Sequence, residues 1–178
     1  MKPSPIQLIQ AVFRHVRIEV DPTHMPSEPP NPLTSIFVFD GVTVHSEFGI
    51  DLVDPAHERG QMFQCGLRVK VDNQPDPNQK NQKFCPYQID VAVDGLVVVS
   101  KGAEKLAPPE ELAAVNGAAV LWATIREQVL AITGRMPVGP VMLPTVHFQD
   151  LRKAPVEEAA PAVKTPRKRQ IARSKTAD

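Results

Sequence analysis

Cys65, Cys85 and the histidines at 15, 24, 45, 57 and 147 carry the side chains best suited to nucleophilic, acid–base or metal chemistry. Their spacing argues against each. Two cysteines outside any CxxC pair do not make a zinc site, and no two histidines stand at i, i+4 or as His-x-His, the separations that bring two imidazoles to one metal. Neither G-x-x-x-x-G-K-[ST] nor G-x-G-x-x-G occurs, so no phosphate loop is written in the chain. The strained G-x-S-x-G elbow of a serine nucleophile is also absent, and nothing beside Cys65 promises an activated thiol. The expectation is a protein that is not an enzyme and needs neither cofactor nor metal. Cys65 reads as a small buried apolar residue and Cys85 as a thiol at a strand edge.

The formal charge of the 178 residues is zero, and that balance hides an asymmetry. Between 164 and 175 stand Lys164, Arg167, Lys168, Arg169, Arg173 and Lys175 with no acid among them, after the alanine- and proline-rich APVEEAAPAV. Such a composition cannot bury enough to order itself, so the sequence predicts one domain over 1–152 and a flexible basic tail over 153–178. Six cations could meet phosphates with a salt-sensitive, sequence-blind affinity. The tail has no aromatic ring to stack on bases, so nucleic acid is not the expected partner, and a nucleic-acid-associated regulatory protein is kept as an alternative. The longest apolar runs, 36–39, 96–99 and 118–123, are far below the roughly 18 to 20 residues that cross a bilayer. No membrane insertion is expected. The amino terminus lacks the apolar centre of a secretory signal, and the expected compartment is the cytoplasm.

The elements that would position any site follow from periodicity. Over residues 7–20 the apolar positions change phase, with Ile9, Ala11 and Phe13 odd and Val16, Ile18 and Val20 even, which predicts a strand bulged near Arg14 and His15. A proline-rich loop follows, then a short apolar segment around 36–44. Phe48, Ile50 and Leu52 predict a second strand ending at Asp54 and Pro55. Phe63, Cys65, Leu67, Val69 and Val71 give the cleanest alternation, and Tyr87, Ile89, Val91 and Val93 start a fourth strand. Strands joined by polar turns without intervening helices make an antiparallel sheet with one covered face. Pro108, Pro109, Glu110 and Glu111 open a helix. Its stripe Leu112, Val115, Ala119, Trp122, Ile125, Val129 and Ile132 should pack on the sheet or on another subunit. Asn116 and Gly117 suggest a kink, and Gly134 reads as the C-cap glycine with Pro137 preventing resumption.

In this order the pieces resemble the SecB family of protein-export chaperones. CGLRVKV at 65–71 is similar to the family's third strand. Leu121, Trp122, Ala123, Arg126 and Glu127 match its helix motif. Gly134, Met136 and Pro137, followed by Leu143, Pro144, Val146 and Phe148, are similar to its helix stop and the L-x-P-[VI]-N-F segment beyond it. The resemblance implies an α+β fold: a four-stranded antiparallel sheet with a long helix and a short C-terminal element on one face. It implies a homotetramer, a dimer of dimers, joined through helix residues such as Val115, Ala119, Trp122, Ile125 and Val129. It also implies an ATP-independent holdase for unfolded polypeptide clients in protein export, with Glu19 and Asp90 matching the acids that dock the SecA translocation motor. Divergent relatives serve as dedicated chaperones of a single partner such as an antitoxin, and that reading stands as the alternative.

A holdase needs apolar surface that does not self-associate through its backbone. Prolines at 137, 140 and 144 donate no hydrogen bond and so cannot recruit a strand. Met136, Val141, Met142, Leu143, Val146 and Phe148 are therefore expected to form one wall of a client groove, and Phe37, Phe39 and Phe48 the other, the methionines adapting to varied partners. The same segments could instead close the core of their own chain.

Overall fold

The computed structural model describes residues 3–27, 37–77 and 79–152. The expected basic tail lies outside the described residues. Four strands, β1 (Ile6–Val20), β2 (His45–Asp54), β3 (Gly60–Val71) and β4 (Tyr87–Ser100), form one antiparallel sheet in the order β1-β4-β3-β2. One long helix among the described residues, α1 (Pro109–Thr133), packs chiefly across β3 and β4, and a 3-10 turn at Gln149–Leu151 returns to it. This is the expected α+β fold.

The two central strands alternate because one of their faces is covered. Phe63, Cys65, Leu67, Val69 and Val71 on β3 and Tyr87, Ile89, Val91, Val93 and Val97 on β4 are all buried. The edge strand β1 needs more care. Its partners on β4 show that Ile6 and Leu8, then Ala11 and Phe13, then Val16, Ile18 and Val20 share the covered face. Two register shifts, between Leu8 and Gln10 and between Phe13 and His15, change the phase each time. The second is the bulge expected near Arg14. The first was not expected, and it turns Ile9 out of the apolar series to stand exposed. Each extra residue in a bulge moves every later side chain to the other face.

The helix meets the sheet along small residues. Ala113, Gly117, Leu121, Ile125 and Val129 are buried, whereas Val115 is half-buried and Ala119 exposed. Of the expected stripe, Leu112, Trp122, Ile125 and Val129 are buried, and the departure lies at Val115 and Ala119. The cause is a close approach: a Cβ at Gly117 would lie 2.8 Å from Cys65 Sγ. On β4 a Cβ at Gly95 would lie 2.8 Å from Leu121 Cδ2 and 2.9 Å from Leu8 Cδ1. Gly117 is thus a seat for the sheet and no interruption, as α1 runs unbroken through it. Each fully buried side chain such as Leu121 or Ile125 contributes about 1.5–3 kcal/mol once removed from water.

The helix stop also differs in mechanism from the expectation. Gly134 has φ −61°, a right-handed conformation, so the left-handed freedom of glycine is not used. The chain instead tightens, with Arg135 N–H donating to Ile132 O and Met136 N–H to Thr133 O. Thr133, fully buried, donates from Oγ1 to Val129 O at 2.7 Å and accepts Val141 N–H at 3.0 Å. One hydroxyl joins the end of α1 to the segment that comes back across it.

Candidate functional site

Residues 134–148 follow the helix with three prolines and no regular element. A segment that cannot pair with a strand must still satisfy its carbonyls, and here side chains from the fold do so. Tyr87 donates its buried hydroxyl to Gly139 O at 2.8 Å, Trp122 Nε1 donates to Pro144 O at 2.9 Å, and Arg126 Nε donates to Leu143 O at 2.8 Å. With Thr133 these make four anchors, three from α1 and one from β4. Sequence reasoning did not name Tyr87, Arg126 or Thr133 for this work, although prolines that remove donors imply that donors come from elsewhere.

The described end of the connection from β1 to β2, residues 37–44, meets this segment. Phe37 pairs with Val141 in an isolated parallel bridge, and its N–H donates to Pro140 O at 3.4 Å. Phe37 and Phe39 sit edge to face at 5.3 Å, as do Trp122 and Phe148 at 6.0 Å. The two expected walls are therefore brought into contact and form a seam. Phe39, Val141 and Leu143 are buried in it, while Phe37, Met136, Met142, Val146 and Phe148 remain half-buried along its rim, and Phe48 sits half-buried on β2 opposite Leu67. Val38, between the two phenylalanines, is 68 % exposed.

The residues expected at a subunit interface divide. Trp122, Ile125 and Val129 are buried within this chain, against the sheet and the returning segment. Outward on α1 lie Ala119, Ala123 and Val120, with Val115 half-buried. On β1, which α1 also touches, Val16 faces the helix side yet stays exposed.

The opposite face of the sheet carries a lattice of charge. Arg68 grips Asp90 with two bonds, Nε at 2.9 Å and Nη2 at 2.7 Å, and His15 Nε2 lies 3.8 Å from the same carboxylate. Arg17 pairs with Glu19 at 2.7 Å, Lys70 with Asp72 at 2.9 Å, and Arg14 with Asp94. Both expected docking acids are on this face, Glu19 exposed and Asp90 half-buried, and each is already engaged by an arginine. The hydrogen bonds from Arg68 hold the Asp90 carboxyl below its usual range, and the hydrogen bond from Arg17 does the same for Glu19.

A third cluster is buried where β1 ends. Asp21, 3 % exposed, accepts from Thr23 N–H at 3.0 Å, Thr23 Oγ1 at 2.6 Å, His24 Nδ1 at 3.0 Å and Asn73 Nδ2 at 2.7 Å. Burial alone would raise this carboxyl, but the bonds from Thr23, Asn73 and His24 outweigh it and hold it well below the usual range. Asn73, at φ +56°, also exchanges hydrogen bonds with the backbone of Cys85, and His24 stacks on Phe84 at 4.3 Å. The cluster ties the start of the connection from β1 to β2 to the loop before β4.

Cys85 is fully buried in that loop, not at a strand edge. Burial pushes both the Cys65 and Cys85 thiols up to about 12, so neither is a thiolate nucleophile at neutral pH. Among the described residues no group of three or more His, Cys, Asp or Glu is arranged to hold a metal ion, and no helix is long and apolar enough to cross a membrane. No protein-family model matches the chain, and no curated protein matches it.

Proposed function

We propose that the protein is an ATP-independent holdase that binds unfolded or non-native polypeptide, in the manner of the SecB-like chaperones it resembles. One observation carries the reading: half-buried Phe37, Met136, Met142, Val146 and Phe148 line a seam whose backbone is held by side chains, not by a strand ladder. Such a seam offers apolar contact to a client while its prolines withhold the donors that would template aggregation. Assembly into a homotetramer in the cytoplasm belongs to the same proposal, with Val16 of β1 and the Ala119–Val120–Ala123 side of α1 as the surfaces to be covered.

The outer face bears on the choice of partner. Asp90 and Glu19 are already neutralised by Arg68 and Arg17, which supports a dedicated client over docking on an export motor through those acids. The test is the aggregation of a chemically denatured client on dilution, followed by light scattering without nucleotide. Suppression is expected at equimolar tetramer, and unchanged scattering at excess rejects the holdase. Mass from light scattering tests the assembly, which a stable monomer would refute.

A further inference from the structure

Among the described lysines and arginines, Arg126 alone is not exposed. The exposed cations of the outer face sit beside carboxylates, Arg14 with Asp94, Arg17 with Glu19, Arg68 with Asp90 and Lys70 with Asp72. Arg126, half-buried, has no described carboxylate within ion-pairing distance. A charge withdrawn from water is normally paired, because the loss of hydration is otherwise uncompensated.

Its donors are only partly used. Nε is spent on Leu143 O, and Nη2 lies 2.7 Å from Met142 Sδ, a weak acceptor. The two-toothed end of the guanidinium, Nη1 with Nη2, meets no oxygen among the described residues, and because no described buried side-chain nitrogen or oxygen lacks a partner, the unpartnered Nη1 touches solvent. Its Nη2 touches the Met142 sulfur, and one turn back on the same helix Trp122 donates to Pro144 O and sits edge to face with Phe148. A guanidinium fork fits a carboxylate with two parallel hydrogen bonds.

We infer that Arg126 is a carboxylate-recognition site within the client seam, selecting polypeptide in which an acidic side chain or a free C-terminal carboxylate lies beside apolar or aromatic residues. The inference rests on the holdase reading and narrows its substrate class. The carboxylate takes the end-on fork while the residues next to it pack against Met142 and the Trp122–Phe148 pair. Nε stays on Leu143 O, so the seam need not be rebuilt when the ligand arrives.

The test uses the full-length protein and a fluorescein-labelled apolar–aromatic peptide in four forms: C-terminal acid, C-terminal amide, and amides carrying one internal Glu or one internal Gln. Fluorescence anisotropy should show the acid and the Glu peptide bound about tenfold more tightly than the amide and the Gln peptide, as expected for charge-assisted bonds. A gain with the acid but not with Glu identifies the chain terminus as the ligand, and the reverse identifies the side chain. Arg126→Gln should erase the preference, read as the ratio of acid to amide and of Glu to Gln affinity, even where losing the bond to Leu143 O weakens all four peptides together. Arg126→Lys, which keeps the charge without the fork, should leave only a small preference and serves as the second variant if the first does not fold. Equal binding of all four peptides to the unaltered protein, or a preference that survives Arg126→Gln, overturns the inference while leaving the holdase standing. Binding of none overturns both.

Discussion

The sheet centre and the returning segment 134–148 hold their backbones by opposite means. In β3 and β4 each strand supplies the other's partners in an unbroken register from Gly60 opposite Ser100 to Val71 opposite Ile89. Side chains there fill space, and a substitution leaves the ladder intact. In the segment, the carbonyls of Gly139, Leu143 and Pro144 and the N–H of Val141 each depend on one named side chain. The difference teaches where single changes are costly: in the segment a side chain is also part of the backbone's hydrogen bonding.

A ranking of variants puts this contrast at risk. Thr133→Val keeps the shape and removes the hydroxyl, leaving the buried Val141 N–H without its acceptor. It is expected to cost about 2–3 kcal/mol, read as a lower denaturant midpoint at unchanged slope. Next come Trp122→Phe and Tyr87→Phe, which keep a ring and delete one donor to a carbonyl. Each should cost about 1–2 kcal/mol, measured by far-ultraviolet circular dichroism.

The Asp21 cluster tests a polar knot outside both regions. Its carboxyl is held low in the folded chain, so its contribution is complete above the ordinary carboxyl value near pH 4 and is lost as pH falls below it. Stability of the unaltered protein should therefore drop on acidification below about pH 4 more steeply than that of Asp21→Asn, as followed by urea midpoints across the acid range.

The smallest loss is expected from Arg68→Gln, since Arg68 itself is exposed and the ladder beneath it is untouched. A thermal midpoint lowered by Arg68→Gln as much as by Thr133→Val would erase the distinction between the two regions.

The regular elements were legible because burial on one face imprints a period. The alternation of β3, the phase change of β1 at Arg14 and the span of α1 up to Gly134 all follow from that rule. The rule failed where contact depends on smallness. Ala113 and Gly117 carry little hydrophobic signal, yet they seat the helix on Cys65, and the stripe drawn through Val115 and Ala119 missed them. Ile9 looked inward by composition, and the first β1 bulge, for which the sequence has no glycine or proline marker, turned it out.

The seam was half visible. Its apolar residues were named, but not that Phe37 would bridge to Val141 and bring the two walls together, because that pairing joins parts of the chain about a hundred residues apart. Asp21, Thr23 and His24 did leave a local trace. An aspartate with a threonine two residues on is the pattern of a side chain folding back on its own backbone.

The Thr133 hydroxyl has a consequence in time as well. Strand β4, flanked on both sides, can free its inner amides only when the sheet comes apart as one cooperative unit. The Val141 amide rests on the Thr133 hydroxyl and no strand ladder, so it can open with its own segment while α1 and the sheet stay intact. Hydrogen exchange should therefore run on two clocks, a fast one for residues 134–148 and a slow one, set by global unfolding, for Val91 and its neighbours.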